Sequence, residues 1–253
     1  MPDYAPGTPM WVDVSSPDVD KTRAFYSDLF GWDAQVVPDP EAGGYTMFTL
    51  DGKMVGAAGP TFDPDQHPAW ATYVCSEDAD ATVQAVKDAG GQVLMGPMDV
   101  MGQGRMAVLA DPTGAYISIW QPQLHTGAER VNEPGSFCWN ELYTRDVPAA
   151  REFYQKAFGW GTEESEYSGG AYTLFQVDGR NVAGGLDMST MLPDSIPPHW
   201  LVYFTVENTA DAVAKARELG GTILAGPQET PMGPMAVIND PVGASFAVIQ
   251  AAS

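Results

Sequence analysis

Residues 9–32 read PMWVDVSSPDVDKTRAFYSDLFGW, and residues 137–160 repeat the pattern as FCWNELYTRDVPAAREFYQKAFGW. Later matches follow in the same order, among them Asp51-Gly52 with Asp178-Gly179 and Asp111-Pro112 with Asp240-Pro241. The spacing between matched residues stays within about three residues of 128. A repeat this long indicates two domains of one fold, joined in tandem. We expect a first domain over residues 1–123, a linker over 124–134 and a second domain over 135–253.

Each repeat predicts two units of one strand, one helix and three strands (βαβββ). In the first unit, a strand at residues 10–15 precedes a helix at 19–30, which Ser16 or Asp18 caps and Gly31 ends. Two of the three strands that follow are located at 45–50 and 54–59, with Asp51-Gly52 as the hairpin turn. The second unit has a strand at 71–75, a helix at 79–89 and strands at 92–95, 105–110 and 115–121. The chain therefore predicts an α+β protein of four βαβββ modules with mostly antiparallel sheets.

Composition limits the class of ligand. The net charge is −21, which repels phosphate backbones and argues against nucleic acids and anionic membranes as partners. No apolar run approaches the roughly 18 residues of a membrane span, and the N-terminus resembles no signal peptide. The two cysteines form no disulfide framework. We expect a cytoplasmic protein that binds a small apolar or aromatic ligand.

Four features of the chain together resemble one known family. They are Trp11-Val12-Asp13, Trp139-Asn140-Glu141-Leu142, His199-Trp200 and the two Asp-Pro-x-Gly turns. They are similar to the vicinal oxygen chelate superfamily of glyoxalases, bleomycin-resistance proteins and extradiol dioxygenases, and within it to a tandem-domain actinobacterial group. The resemblance implies two vicinal oxygen chelate domains, whose curved sheets surround a cavity that usually holds a divalent metal.

The metal ligands that the family implies are missing. They stand on the first, fifth and eighth strands of a domain. Those positions correspond in this chain to Trp11 and Trp139, to Thr72 and Val202, and to Ser118 and Ala247. None of these residue types is a usual ligand for zinc, nickel or iron. We therefore expect neither a metal nor another cofactor.

Candidate catalytic residues follow from strand alternation. Asp13 and Glu141 share a strand face with Trp11 and Trp139, and desolvation there would raise a carboxyl pKa into the range of a general acid/base. The alternative is a carboxylate that only accepts hydrogen bonds from backbone amides, Arg or Tyr. His199, which the first repeat lacks, is either a proton shuttle or an exposed residue at the rim.

Candidate ligand-binding residues are aromatic or sulfur-containing, with one cation. Indoles stack on flat ligands and Met adapts to irregular shapes, although both also fill ordinary cores. Arg105 either meets a ligand oxygen or Asp13, or is solvated. Residues 98–105, 187–198 and 230–235 are candidate lids. The ligand-binding set is Trp11, Trp70, Trp139, Trp200, Tyr45, Tyr143, Tyr172, Arg105, Met106 and Met235.

Three functions fit these residues. The first is a metal-independent tailoring enzyme that cyclises, dehydrates or forms an acetal on an aromatic polyketide-like metabolite. The second is a metal-free binding protein that confers resistance by sequestering a small molecule. The third is a glyoxalase-type lyase. We expect a monomer or a homodimer, since one chain already holds four modules.

Overall fold

A computed structural model describes residues 4–167 and 170–250 of the chain. The described part of the first repeat forms eight strands and two helices, in the order β1 (Pro9–Ser16), α1 (Val19–Phe30), β2 (Asp33–Val36), β3 (Thr46–Leu50), β4 (Lys53–Pro60), β5 (Ala69–Cys75), α2 (Ala79–Asp88), β6 (Gln92–Val100), β7 (Gly104–Ala110) and β8 (Tyr116–Pro122). A short 3₁₀ turn, Pro40–Ala42, precedes β3.

The second repeat has the same order of elements within its described residues. These are β9 (Phe137–Thr144), α3 (Val147–Phe158), β10 (Gly161–Tyr167), β11 (Gly170–Val177), β12 (Arg180–Asp187), β13 (His199–Thr205), α4 (Thr209–Glu218), β14 (Thr222–Gln228), β15 (Met235–Asn239) and β16 (Ser245–Ile249). None of the helices in residues 4–167 and 170–250 is long and apolar enough to cross a membrane.

Each repeat builds one eight-stranded sheet. The orders are β2-β3-β4-β1-β5-β8-β7-β6 and β10-β11-β12-β9-β13-β16-β15-β14. The first strands of the two modules lie antiparallel at the centre, and only the pairs β1–β4, β5–β8, β9–β12 and β13–β16 are parallel. The predicted α+β fold of four βαβββ modules with mostly antiparallel sheets is confirmed. Neither sheet closes into a barrel.

The first helix of each repeat begins and ends for the same local reasons. Asp18 and Asp146 are the N-caps, and their carboxylates accept the amides of Lys21 and Ala149. At the other end, Gly31 and Gly159 adopt φ values of 73° and 70°, a left-handed conformation that glycine reaches without a Cβ clash. These caps fix where the chain leaves the helix and turns back toward the sheet.

One face of each sheet packs against helices and against the other repeat. On this helix face, the Trp70 indole donates to the Tyr26 hydroxyl at 2.8 Å. Tyr26 in turn donates at 3.1 Å to Asp240, which lies in the Asp-Pro turn of the second repeat. A matching network runs in the opposite direction through Trp200, Tyr154 and Asp111. The repeats therefore share a core, and the opposite face of each sheet remains for other contacts.

Candidate functional site

The face opposite the helices carries a carboxylate on the central first strand of each repeat, and we call it the carboxylate face. In the first repeat, strand alternation places Trp11, Asp13 and Ser15 of β1 on it. The antiparallel partners of these residues on β5 are Tyr73, Ala71 and Ala69 respectively. Directly paired residues of neighbouring strands point to the same side of a sheet, so these six residues form one surface.

Two tyrosines hold the Asp13 carboxyl group. The hydroxyl of Tyr45 donates to Oδ2 at 2.8 Å, and the hydroxyl of Tyr73 donates to the same oxygen at 3.1 Å. The Trp11 indole lies 3.4 Å from the Tyr45 hydroxyl. No residue in the described part of the chain donates a hydrogen bond to Oδ1. Asp13 is only partly shielded from solvent, so this oxygen is available to a ligand.

This environment changes the acidity of Asp13. Desolvation raises its pKa from 3.8 to about 6, although the hydrogen bonds from Tyr45 and Tyr73 lower it in part. Burial, reinforced by the neighbouring Asp13 charge, also raises the pKa of both tyrosines well above 10. The tyrosines therefore stay protonated donors, and the pKa of Asp13 lies closer to neutral pH than that of an exposed carboxyl.

The second repeat contains the equivalent group with a different hydrogen-bond arrangement. Tyr172 donates to Oε1 of Glu141 and Tyr203 donates to Oε2, both at 2.6 Å. The Trp139 indole donates to the Tyr172 hydroxyl at 3.0 Å. Glu141 is 6% exposed, and each of its oxygens already accepts a hydrogen bond. It is held more completely than Asp13.

Glycines leave room for Tyr45 and Tyr172 to reach across a strand to Asp13 and Glu141. A Cβ on Gly184, the β12 partner of Glu141, would lie 1.8 Å from the Tyr172 hydroxyl. In the first repeat the residue paired with Asp13 is Ala57, and the Tyr45 ring instead passes over Gly59, where a Cβ would lie 2.8 Å from its Cδ2. Both positions require a residue without a side chain.

The structure brings most of the sequence-predicted residues to these faces. Met106 pairs across strands with Trp120, which lies at the Trp11 end of the first face. In the second repeat, Met235 packs in one apolar cluster with Tyr143, Leu201 and Tyr203. The predicted residues that lie on a carboxylate face are Trp11, Asp13, Tyr45, Met106, Trp139, Glu141, Tyr143, Tyr172, His199 and Met235.

Three of the predicted ligand-binding residues, Trp70, Trp200 and Arg105, lie away from the carboxylate faces. Trp70 and Trp200 are buried on the helix face, where their indoles donate to Tyr26 and Tyr154. Trp70 precedes Ala71, the cross-strand partner of Asp13, and Trp200 precedes Leu201, the partner of Glu141. Because adjacent strand residues point to opposite faces, neither tryptophan shares a face with its carboxylate. Arg105 forms ion pairs with Asp80 and Asp99 and reaches neither Asp13 nor its tyrosines.

Two histidines, His199 and His125, pack against aromatic residues of the carboxylate faces. His199 stacks on Tyr143 with ring centroids 5.2 Å apart, and its Nδ1 lies 2.9 Å from the Pro197 carbonyl oxygen. Burial lowers its pKa, and no hydrogen bond joins it to Glu141 among the described residues. His125, which the sequence places in the linker, instead packs edge-to-face on Trp11 at 4.4 Å. Burial lowers the pKa of His125 to about 4.

Sequence reasoning missed Tyr73 and Tyr203, the second donor to each carboxylate. A signal was present, because Trp70-Ala-Thr-Tyr73 and Trp200-Leu-Val-Tyr203 place a tyrosine at the same position of both repeats. The register pairs these tyrosines with Trp11 and Trp139, next to the carboxylate on the adjoining strand.

The candidate lids also take definite positions. In the second repeat, Met188 is fully buried against Tyr143, Leu201 and Tyr203. Arg145 fixes the rest of this segment by donating to the carbonyls of Pro193 at 2.8 Å and Ile196 at 2.9 Å. Residues 98–105 form the tip of the hairpin between β6 and β7. Residues 230–235 connect β14 to β15.

The side chains present do not fit the family's metal. Thr72 lies on the helix face and donates to Asn140 at 2.8 Å, so the fifth-strand residues on the carboxylate face are Ala71 and Tyr73. With Trp11 and Ser118 they provide no carboxylate or imidazole. Within residues 4–167 and 170–250, no three His, Cys, Asp or Glu side chains are grouped to hold a metal ion.

Two surface depressions lie away from both carboxylates. One, of about 460 Å³, is at the start of α1 beside Asp18 and Arg23. The other, of about 320 Å³, is at the start of α3 beside Arg145 and Thr113. Both are open and lined by turn residues that cap or precede helices. The carboxylate faces therefore remain the better candidates for chemistry.

A family model and two known proteins match most of the chain. A family model described as the Glyoxalase/Bleomycin resistance protein/Dioxygenase superfamily matches residues 9–119 and 135–248. The chain is 42% identical to the anthracycline biosynthesis protein DauV of Streptomyces sp. (strain C5), over 98% of this chain and 94% of DauV. It is 39% identical to the putative glyoxylase CFP32 of Mycobacterium tuberculosis, over 99% and 97% of the two chains.

Among solved structures, the fold is similar to that of the 2,3-dioxygenase LapB from Pseudomonas sp. KL28. The TM-score is 0.66, and the match covers 100% of this chain and 94% of LapB. The sequences are 12% identical, so this likeness concerns the fold alone.

Proposed function

This chain belongs to the Glyoxalase/Bleomycin resistance protein/Dioxygenase superfamily, and we propose that it is a tailoring enzyme that performs acid/base catalysis on an aromatic polyketide-like metabolite. The observation that carries the proposal is the Asp13 carboxyl, whose pKa is raised to about 6 while Oδ1 accepts no hydrogen bond from the described residues. The likeness to the anthracycline biosynthesis protein DauV supports the class of substrate.

Asp13 can both take and return a proton, because a pKa of about 6 keeps both protonation states accessible near neutral pH. The Asp13 carboxylate, stabilised at Oδ2 by the Tyr45 and Tyr73 hydroxyls, removes a proton from the ligand at Oδ1 and becomes the neutral acid. The same carboxyl then returns the proton to the ligand. Cyclisation conserves the ligand's atoms, whereas dehydration and acetal formation each release one water, so this relay balances all three.

The reaction that we propose is independent of metal. The donor set supports this, since each face offers one carboxylate flanked by Trp and Tyr, and three ligands are needed to hold a catalytic ion. The same observation disfavours a metal-dependent glyoxalase-type lyase. The net charge of −21 supports a neutral ligand rather than an anionic one.

A second candidate is a metal-free binding protein. The observation that favours it is Glu141, whose two oxygens each accept a tyrosine hydroxyl, as expected of a carboxylate with a purely structural role. If the Asp13 cluster were also structural, the face would bind an aromatic ligand without changing it.

The experiment that separates these candidates uses purified protein, a chelator and a panel of anthraquinones and anthracycline aglycones. Products are identified by mass spectrometry as isomers or as species that have lost one water. We expect Asp13→Asn to reduce turnover by about 100- to 10,000-fold while binding is retained, because general acid/base catalysis contributes that much. Binding without turnover in the wild type would favour the binding protein. Activity that the chelator abolishes would contradict metal independence.

A further inference from the structure

The two carboxylate faces differ in how much of their surface is already filled. At four matched positions the first repeat has a small side chain where the second has a large one. The small residues are Ser15, Thr61, Ala69 and Ala71, and their counterparts are Tyr143, Met188, His199 and Leu201. The match of Thr61 with Met188 rests on the backbone, because their amides donate to the carbonyls of Ser16 and Thr144.

These differences adjoin the carboxylates. Ala71 is the cross-strand partner of Asp13, and Leu201 is the partner of Glu141. In the second repeat, Tyr143, Met188 and Leu201 are all buried. In the first repeat, Ser15 and Ala71 are partly exposed and Ala69 is exposed. The space that the second repeat fills with its own side chains is therefore open to solvent in the first.

The filling of the second repeat indicates the shape of that space. The Tyr143 and His199 rings stack with an interplanar angle of 2° and a centroid distance of 5.2 Å. In the first repeat, Ser15 and Ala69 stand at these two positions, so neither ring is present there. We propose that the first repeat alone binds the ligand, and that a planar aromatic ring system of the ligand occupies the space beside Asp13 bounded by Ser15, Ala69 and Ala71. This assignment rests on the proposed function for the ligand's chemical class.

The surroundings of this space suit a planar, neutral, oxygen-bearing ligand. The methyl groups of Ala69 and Ala71 offer a flat apolar floor for an aromatic ring. At one edge, the Gln66 amide lies 3.3 Å from the Ser15 hydroxyl and can exchange that contact for a ligand oxygen. At the other edge is Oδ1 of Asp13. A ring placed here thus brings its substituents to the proton-transfer group.

The first test introduces the large side chains of the second repeat at the matched positions of the first repeat. The probe is 1,8-dihydroxyanthraquinone, and calorimetric titration gives its affinity and stoichiometry. Wild type should bind one probe per chain. Ala71→Leu, and separately the pair Ser15→Tyr with Ala69→His, should weaken binding at least tenfold. The matched control Leu201→Met, in the second repeat, should leave affinity within about twofold. Unchanged affinity in the filled variants, or two probes per wild-type chain, would overturn the proposal.

A second measurement on the wild-type fold guards against misfolded variants. Methyl carbons of Ala and Leu are labelled, and Ala71 and Leu201 are identified from the spectra of Ala71→Gly and Leu201→Val. The probe should shift the Ala71 methyl signal and leave the Leu201 signals unchanged, and the opposite pattern would refute the assignment. If the probe shifts Ala71 while Asp13→Asn keeps full turnover, the proposed function fails and the location of the ligand stands.

Discussion

The Tyr45 hydroxyl lies 2.8 Å from Oδ2 of Asp13 and donates to it across the intervening strand β4. The same oxygen accepts Tyr73, so two donors converge on one oxygen and leave the other without a donor in the described chain. In the second repeat the two donors are divided between both oxygens of Glu141. Asp13 therefore has one oxygen without a donor in the described chain, whereas both oxygens of Glu141 accept a tyrosine hydroxyl.

The raised pKa of Asp13 predicts a cost in stability. Its pKa is about 6 in the folded protein and near 3.8 when unfolded, so the folded state binds more protons between these values and stability falls as pH rises through them. At pH 8 the ionised group costs roughly 2–3 kcal/mol. Asp13→Asn should therefore raise Tm by roughly 5 °C at pH 8, and the gain should shrink toward pH 4.

Thermal unfolding followed by circular dichroism at several pH values measures this effect. Asp18→Asn, which alters an exposed helix cap, is the control and should not show a gain that grows with pH. A loss of stability in Asp13→Asn at pH 8 would mean that the native structure favours the ionised form.

Removing one tyrosine donor should shift the acidity further. The hydroxyls of Tyr45 and Tyr73 lower the pKa of Asp13, so Tyr73→Phe should raise it. The acidic limb of the rate against pH should then move to higher pH. Tyr203→Phe removes the equivalent donor to Glu141 and should leave that limb in place. Equal shifts in both variants would indicate that the limb reports another group.

The shared core predicts that the repeats unfold together. Tyr26→Phe removes the acceptor of the Trp70 indole and the donor to Asp240, and leaving buried polar groups unpaired costs about 1–3 kcal/mol. Calorimetry should show one transition at a lower Tm, as should Tyr154→Phe. Two separated transitions in either variant would contradict a common core.

Loss of the Arg145 side chain should loosen residues 189–197 of the second repeat without changing the turnover rate. Arg145→Ala removes the donors to the carbonyls of Pro193 and Ile196, so residues 189–197 should become more susceptible to limited proteolysis. Arg151→Ala breaks an ion pair with Glu164 in the same repeat and should leave this cleavage rate unchanged. Loss of turnover in Arg145→Ala alone would place the reaction in the second repeat.

The sequence predicted elements with strong local signals. The α1 boundaries were correct because Asp18 and Gly31 mark both ends. The sequence does not predict β2 or β10, because Asp33–Val36 is only four residues long and residues 161–167 are mostly polar. Both lie at sheet edges, so neither needs a buried side.

The sites were only partly predictable, because alternation shows which residues share a face but not which face meets the other repeat. On β5, residues 69–75 are almost all apolar or aromatic, so Trp70 and Tyr73 were equally plausible on either side. The hydrogen bond from Trp70 to Tyr26, and that from Tyr26 to Asp240, settle the orientation, and they depend on residues about 44 and 170 positions from Trp70.

The most direct test of the account is the titration of the Asp13 carboxyl itself. Carbon-13 spectra of aspartate-labelled protein, with the signal identified by its loss in Asp13→Asn, give the midpoint. We predict a midpoint at a pKa of about 6 for Asp13, and a higher midpoint in Tyr73→Phe. A midpoint near 3.8 would contradict Asp13 as the group that exchanges a proton at neutral pH.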